Sequence, residues 1–320
     1  MGHDHSHHGH DHDHAHGHGG HSHAPASFGR AFALGVSLNA GFVAIETVYG
    51  ALSHSVALVA DAAHNASDVL GLLAAWVAYA LAKRRPTARR TYGLRKSTVL
   101  AALANSVLLL VAVGGVAWES IGKLRDPQPI QSSTVMIVAA AGVVVNGASA
   151  LLFMRGGKSD ANLRGAFLHL AADAAVSAAV VISGAIILFT GWYWLDPAIS
   201  LLVSALVLVA TWKLLVKSVN LALDAVPDNV DADAVREHLN GLPGVREVHD
   251  FHVWAMSTTE TALTAHLVLE EAAPESFLAD LGRELQTRFH VDHTTVQIER
   301  HAVATTAHAC LGCEPAPGGG

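Results

Sequence analysis

Long apolar stretches separated by short polar breaks fill the chain from Phe28 to Val219, at residues 28–52, 57–82, 97–121, 132–154, 163–189 and 194–219. Each can form the helix of about 20 residues that crosses a hydrocarbon layer. Lipid offers no partner for backbone N–H and C=O groups, so the six stretches predict six transmembrane helices. Charged side chains are sparse, 15% of the chain against 51% hydrophobic, which sets the sequence apart from ordinary soluble domains.

At Asp224 the texture becomes that of a soluble domain. Residues 231–239 predict a short helix ended by Gly241 and Pro243. Residues 245–256 and 261–270 predict strands, the second with near period-two alternation, followed by a helix over 274–289 and a strand over 294–300. The order αββαβ predicts a small α+β, ferredoxin-like domain with its sheet covered on one face. The chain therefore divides into a disordered His-rich tail (1–27), a six-helix membrane domain (28–222), an α+β metal-binding domain (223–303) and a flexible tail (304–320).

Charge adds orientation. Between the second and third stretches lie Lys83, Arg84, Arg85, Arg89, Arg90, Arg95 and Lys96, and the connection from the fourth to the fifth adds Arg155 and Lys158, with Arg164 at the very start of the fifth. The first and fifth breaks have no Lys or Arg, while the third has Lys123 and Arg125, the one dissent. Because basic loops stay in the cytoplasm, both termini are predicted to be cytoplasmic. No segment with the pattern of a removable signal peptide precedes the first stretch. With compact loops and no organelle-type signal, the chain is expected in a bacterial inner membrane.

Residues 24–223 carry 15 Lys and Arg against 8 Asp and Glu, whereas 224–303 carry 5 against 15. An acidic domain bearing histidines suits cations and excludes nucleic acid, which needs a basic stripe. The first 23 residues hold 11 of the 22 histidines, interleaved with Asp, Gly and Ser, a composition that forms no core and binds metal loosely.

Asp61, His64 and Asp68 interrupt the second apolar stretch, and His169 and Asp173 the fifth. Residues four apart share one helix face. An Asp at the centre of a membrane helix costs about 2.5 to 3.5 kcal/mol on insertion scales, so two helices that each carry one beside a His at the same spacing point to function. His64, Asp68, His169 and Asp173 together form a closed set of two nitrogen and two oxygen donors for tetrahedral Zn2+. The bland reading is a hydrogen bond within each helix. Asp61 is read as supporting the site from behind, while Asn39 and Glu46, seven apart in the first stretch, share a face toward the same cavity.

These features resemble the cation diffusion facilitators, the six-helix family of divalent-metal exporters, from about residue 28 to 301. The resemblance is carried by Ser55–Asp68 (SVALVADAAHNASD), Tyr92–Leu103 (YGLRKSTVLAAL), His169–Asp173 (HLAAD) and Val248–Trp254 (VHDFHVW). It implies a homodimer, proton-coupled export, and transport ligands at His64, Asp68, His169 and Asp173. The paired His and Asp resemble the zinc-type branch, and imidazole favours zinc on chemical grounds. One departure is the stretch 83–98, which has no Asp, Glu or His, so no metal is expected there and its basic residues are read as a solvated, lipid-facing or intersubunit surface.

In the C-terminal domain His249, Asp250, His252, His266, Asp292, His293 and Glu299 can approach one another, against the plain alternative of surface histidines on a sheet. The resemblance implies that His249, His266 and Glu299 are the metal ligands among them. Cys310 and Cys313 form a single CxxC, read as metal-binding with His308 rather than as a structural disulfide.

The reading is a secondary transporter exporting Zn2+, with Cd2+ and Co2+ as further substrates, in exchange for protons. Two ionised Asp offset the metal's charge, and two protonated His restore neutrality after its release. Zinc is both substrate and regulatory ligand; the other partners are protons, membrane lipid and a second copy of the chain. Of the rivals, an intramembrane zinc hydrolase needs a general-base Glu and an open coordination position, but Asn65 follows His64 and four donors close the site. A membrane-bound metal sensor or buffer leaves the ionisable pairs without a purpose.

Overall fold

The computed structural model describes residues 30–156 and 161–300, with side chains at 36–151 and 167–300. The His-rich tail and the Cys310, Cys313 and His308 group lie outside the described residues.

Six long helices come first: α1 (Arg30–Leu52), α2 (Val56–Ala82), α3 (Ser97–Arg125), α4 (Ser132–Gly156), α5 (Ala161–Thr190) and α6 (Leu195–Ala222). Among the described residues, five of them, α2 to α6, are long and apolar enough to cross a membrane. The apolar part of α1 described at side-chain level, Val36–Leu52, is shorter. Large apolar side chains such as Val111, Ile137 and Ile182 project outward, as they do where lipid is the solvent. Helix α3 runs on past its apolar stretch to Arg125, and an i,i+4 pair of Glu119 with Lys123 supports that polar end.

Helix α2 is the centre of the bundle. One flank (Ala57, Leu58) packs with Val135, Val138 and Ala139 of α4 and Val180 of α5, and Ala60 packs with Leu109 and Val113 of α3 and Val203 and Val207 of α6. The start of α2 is tied down from outside its own sequence. Ser55 accepts from the Leu58 N–H at 3.2 Å, while Asp196 of α6 accepts from the Ser55 hydroxyl at 2.5 Å and from the backbone N–H groups of Val56 at 2.8 Å and Ala57 at 3.4 Å. A helix leaves its first N–H groups unpaired, and here a carboxylate from another helix takes them. The same turn is gripped by Lys123, which donates to the His54 carbonyl, and by the Gln131 N–H, which donates to the Ser53 carbonyl.

The C-terminal domain follows as α7 (Ala232–Asn240), β1 (Val245–Ala255), β2 (Thr261–Leu269), α8 (Phe277–Phe289) and β3 (His293–Arg300), the αββαβ order the sequence predicts. The sheet order is β1-β2-β3, with β1 antiparallel and β3 parallel to β2. Val235 and Leu239 of α7 and Leu281 and Leu285 of α8 bury one sheet face through Val253, Leu263, Ala265 and Leu267. Helix α8 starts three residues later than the sequence predicts, because Pro274 opens a turn in which its carbonyl accepts from the Phe277 N–H.

Two of the seven basic residues before α3, although partly exposed, also have partners in the rest of the chain: Lys96 pairs with Asp224, and Arg95 with Glu260 at 3.2 Å. Lys217 of α6 pairs with Asp228 at 2.6 Å, the Thr258 N–H donates to the Thr98 hydroxyl at 3.0 Å, and Val99, Leu221 and Ala255 close an apolar contact beneath. A basic membrane domain and an acidic C-terminal domain thus meet through opposite charges. These pairs are partly exposed, so each contributes about 0.2 to 1 kcal/mol.

Candidate metal centre

The four residues singled out in α2 and α5 converge. His64 Nε2 lies 3.3 Å from Asp173 Oδ1, and His169 Nε2 lies 2.9 Å from Asp68 Oδ2. The contacts within each helix are longer, 3.9 Å from His64 to Asp68 and 3.6 Å from His169 to Asp173. The shortest contacts therefore run between helices, which is not what two separate intrahelical hydrogen bonds give. The imidazoles stand edge to face with centroids 5.9 Å apart, and one donor atom from each of the four residues lies within 4.8 Å of all the others. Donors about 2.0 to 2.2 Å from a tetrahedral Zn2+ are about 3.3 to 3.6 Å from one another. The observed contacts bracket that spacing, so an ion fits with small side-chain shifts. Burial is graded: the Asp173 side chain is 6% exposed and that of His169 33%, so the site is open on one side.

Behind the site sits a polar layer that the sequence showed in part. Asp61 stays outside the donor set and accepts from the Ser177 hydroxyl of α5 at 2.8 Å, which fits its expected supporting position. Glu46 of α1 is fully buried and accepts from the Asn65 amide at 3.1 Å. Asn65 and Ser177 were missed: small polar residues are common in membrane helices, and only the packing shows that these face carboxylates. Gly142 of α4 makes room, since a Cβ there would meet Ser177 Oγ at 2.9 Å and the Phe42 ring at 3.0 Å. Asn39 is half-buried and, among the described residues, carries no side-chain contact that ties it to the site.

In the C-terminal domain three of the seven candidates converge on the sheet face away from α7 and α8. His249 Nε2 is 3.3 Å from Glu299 Oε2, and His266 Nδ1 is 3.0 Å from Glu299 Oε1. His249 and His266 are cross-strand partners with ring centroids 5.1 Å apart. Glu299 comes from β3 and is oriented by the Gln297 amide, which donates to it at 2.9 Å. Two nitrogens and one carboxylate oxygen within 4.8 Å suit a borderline divalent ion. Two of the other candidates, Asp292 and His293, take different partners. Asp292 accepts from the Thr261 N–H at 2.9 Å and so closes the sheet, and His293 lies against the Tyr92 ring. Asp250 and His252 form a pair beside His266.

A bundle of apolar helices holding a His and Asp cluster, joined to a metal-suited α+β domain, defines a membrane carrier of divalent cations. The model of the cation efflux transmembrane domain matches residues 32–221, and that of the cation efflux protein cytoplasmic domain matches residues 227–301. The chain belongs to the cation diffusion facilitator family, and it is a divalent-cation transporter rather than an enzyme. It is 36% identical over 277 residues to the metal cation efflux system protein CzcD of Cupriavidus metallidurans, covering 86% of this chain and 88% of that one. It is 37% identical over 271 residues to the zinc transporter ZitB of Escherichia coli, covering 84% and 86%. It is 30% identical over 268 residues to a cadmium, cobalt and zinc/H(+)-K(+) antiporter of Bacillus subtilis, covering 82% and 86%.

Proposed function

We propose that the chain exports Zn2+ from the cytoplasm in exchange for protons, with His64, Asp68, His169 and Asp173 as the ligands that carry the ion. The observation that supports this reading best is the crossed arrangement of the two pairs, in which each His approaches the Asp of the other helix. Metal binding draws α2 and α5 together, so loading and release are coupled to the relative position of these helices. Two carboxylates neutralise the ion, and two protonated imidazoles replace its charge on the return. Neither state then moves an uncompensated charge through lipid. In this reading all six long helices span a bacterial inner membrane and both termini face the cytoplasm. Cd2+ and Co2+ follow Zn2+ as substrates, in keeping with the similarity to the cadmium, cobalt and zinc antiporter of Bacillus subtilis. Vesicles with a metal dye inside test the coupling: uptake is expected to rise with an imposed pH gradient, and uptake indifferent to the gradient removes proton exchange.

The choice of metal rests on the imidazoles. His64→Asp keeps four donors but replaces a nitrogen by a charged oxygen, so transport is expected to survive with its preference moved toward harder ions such as Mn2+. Competition flux assays with Zn2+, Cd2+ and Mn2+ read this directly, and an unchanged order removes His64 from the ligand set.

The C-terminal site holds a second, regulatory Zn2+ through His249, His266 and Glu299 and favours a homodimer. Residues 224–303 carry 5 basic against 15 acidic residues, so two such domains repel, and a cation held by each reduces the repulsion. Zinc is expected to compact the full-length dimer in small-angle scattering. Compaction that persists in the His249→Ala, His266→Ala double variant sinks the regulatory role and leaves transport untouched. The Cys310 and Cys313 pair, with His308, adds a tail site for the same ion.

A further inference from the structure

We propose that Asp250 is the positioning residue of the C-terminal metal site, fixing His266 so that Nδ1 rather than Nε2 binds the ion. The inference rests on the reading of His249, His266 and Glu299 as that site's ligands. The ring of His266 stands between two carboxylates: Nδ1 is 3.0 Å from Glu299 Oε1, and Nε2 is 3.4 Å from Asp250 Oδ2. The first lies against a carboxylate of the donor set and the second against a carboxylate outside it. A metal-bound imidazole keeps one N–H on its other nitrogen, and a carboxylate that accepts that N–H both orients the ring and strengthens it as a donor. The other oxygen of Asp250 is 3.0 Å from His252 Nε2, which braces the carboxylate from the solvent side.

Backbone geometry explains how Asp250 reaches this position. Neighbouring residues of a strand point to opposite faces, so Asp250 should point away from His249 and His266. The register instead slips between His249 and His252, where one extra residue of β1 stands against β2. Phe251 keeps to the helix-covered face and packs on the core, while Asp250 has a left-handed φ of 48° and remains beside His266. Asp and Asn enter that region more readily than most residues with a side chain. The bulge is thus what brings a carboxylate to the back of His266.

The test uses full-length protein in detergent carrying His64→Ala and His169→Ala, so that the membrane site does not contribute, with Zn2+ as the probe and a chelating dye as competitor. The binding step lost in the additional His249→Ala, His266→Ala variant marks the C-terminal site; if that variant keeps every step, the site itself is misassigned. Asp250→Asn preserves shape and tolerates the left-handed backbone, and Asp250→Gly tolerates it without a side chain. Both are expected to weaken the marked step by about 10- to 100-fold with no change in the number of ions bound. Wild-type affinity in Asp250→Asn overturns the proposal. Nitrogen-15 spectra of labelled histidines, assigned by difference from His266→Ala, are expected to show zinc on Nδ1 of His266 and a proton on Nε2. Zinc on Nε2 overturns the proposal, and a purely structural Asp250 does not dictate which nitrogen binds.

Discussion

Asp173→Ala is expected to reduce zinc flux in reconstituted vesicles by more than about 100-fold, beyond what loss of a supporting contact does. Asp173 is the most enclosed of the four transport donors, with a side chain 6% exposed, and it contacts both His64 and His169. Its removal takes one of four ligands and one of the two charges that neutralise the ion. The two imidazoles and Asp68 that remain make an open, under-neutralised site. The bundle itself should persist, because the packing of α2 against α3, α4, α5 and α6 does not involve Asp173. Size-exclusion behaviour and helical circular dichroism like those of the wild type, together with lost flux, are the expected pair of results. Full residual flux with a folded protein puts the transport site elsewhere.

The second large effect falls on stability and concerns a residue outside the metal sites. Asp196→Ala removes the acceptor for the Ser55 hydroxyl and for the Val56 and Ala57 N–H groups, all at fully or nearly fully buried positions. A buried donor left without a partner costs about 1 to 3 kcal/mol, so the loss is on the order of 3 kcal/mol or more, and the first turn of α2 frays. Ser55→Ala removes one donor together with its local cap and is expected to cost about 1 kcal/mol. Thermal unfolding in detergent should rank wild type above Ser55→Ala above Asp196→Ala. Equal transition temperatures would show that the cross-helix cap is dispensable. Because α2 carries His64 and Asp68, the Asp196 variant is also expected to transport slowly even where it remains folded.

Much of this was legible in the sequence because hydrophobicity and helix period are local properties. The apolar stretches place helix boundaries within a few residues. A His and an Asp four apart must share a helix face wherever the helix goes. The strand and helix order of the C-terminal domain followed from alternation and from breakers such as Gly241 and Pro243. The match of HLAAD in one helix to HNASD in another predicted that the two faces meet, and they do.

Other features belong to tertiary structure alone. Asp196 looks like an ordinary acidic residue near a helix start, and only the packing of α6 beside α2 makes it the cap of a helix 140 residues away in the chain. Asn65 and Ser177 become partners of Glu46 and Asp61 because α1, α2 and α5 approach closely where Gly142 leaves room. Arg95 and Lys96 read as part of a solvated, lipid-facing or intersubunit run, and only the structure sets the acidic C-terminal domain against them. Asp250 lies on the wrong face by strand alternation, and a one-residue bulge puts it behind His266. Which residues lie in which element and which faces carry donors can be read locally, since both depend on neighbours a few positions apart. The tertiary structure decided which donors oppose which, because contacts between elements depend on helix packing, domain docking and strand register, and those are settled by shape and burial across the whole chain.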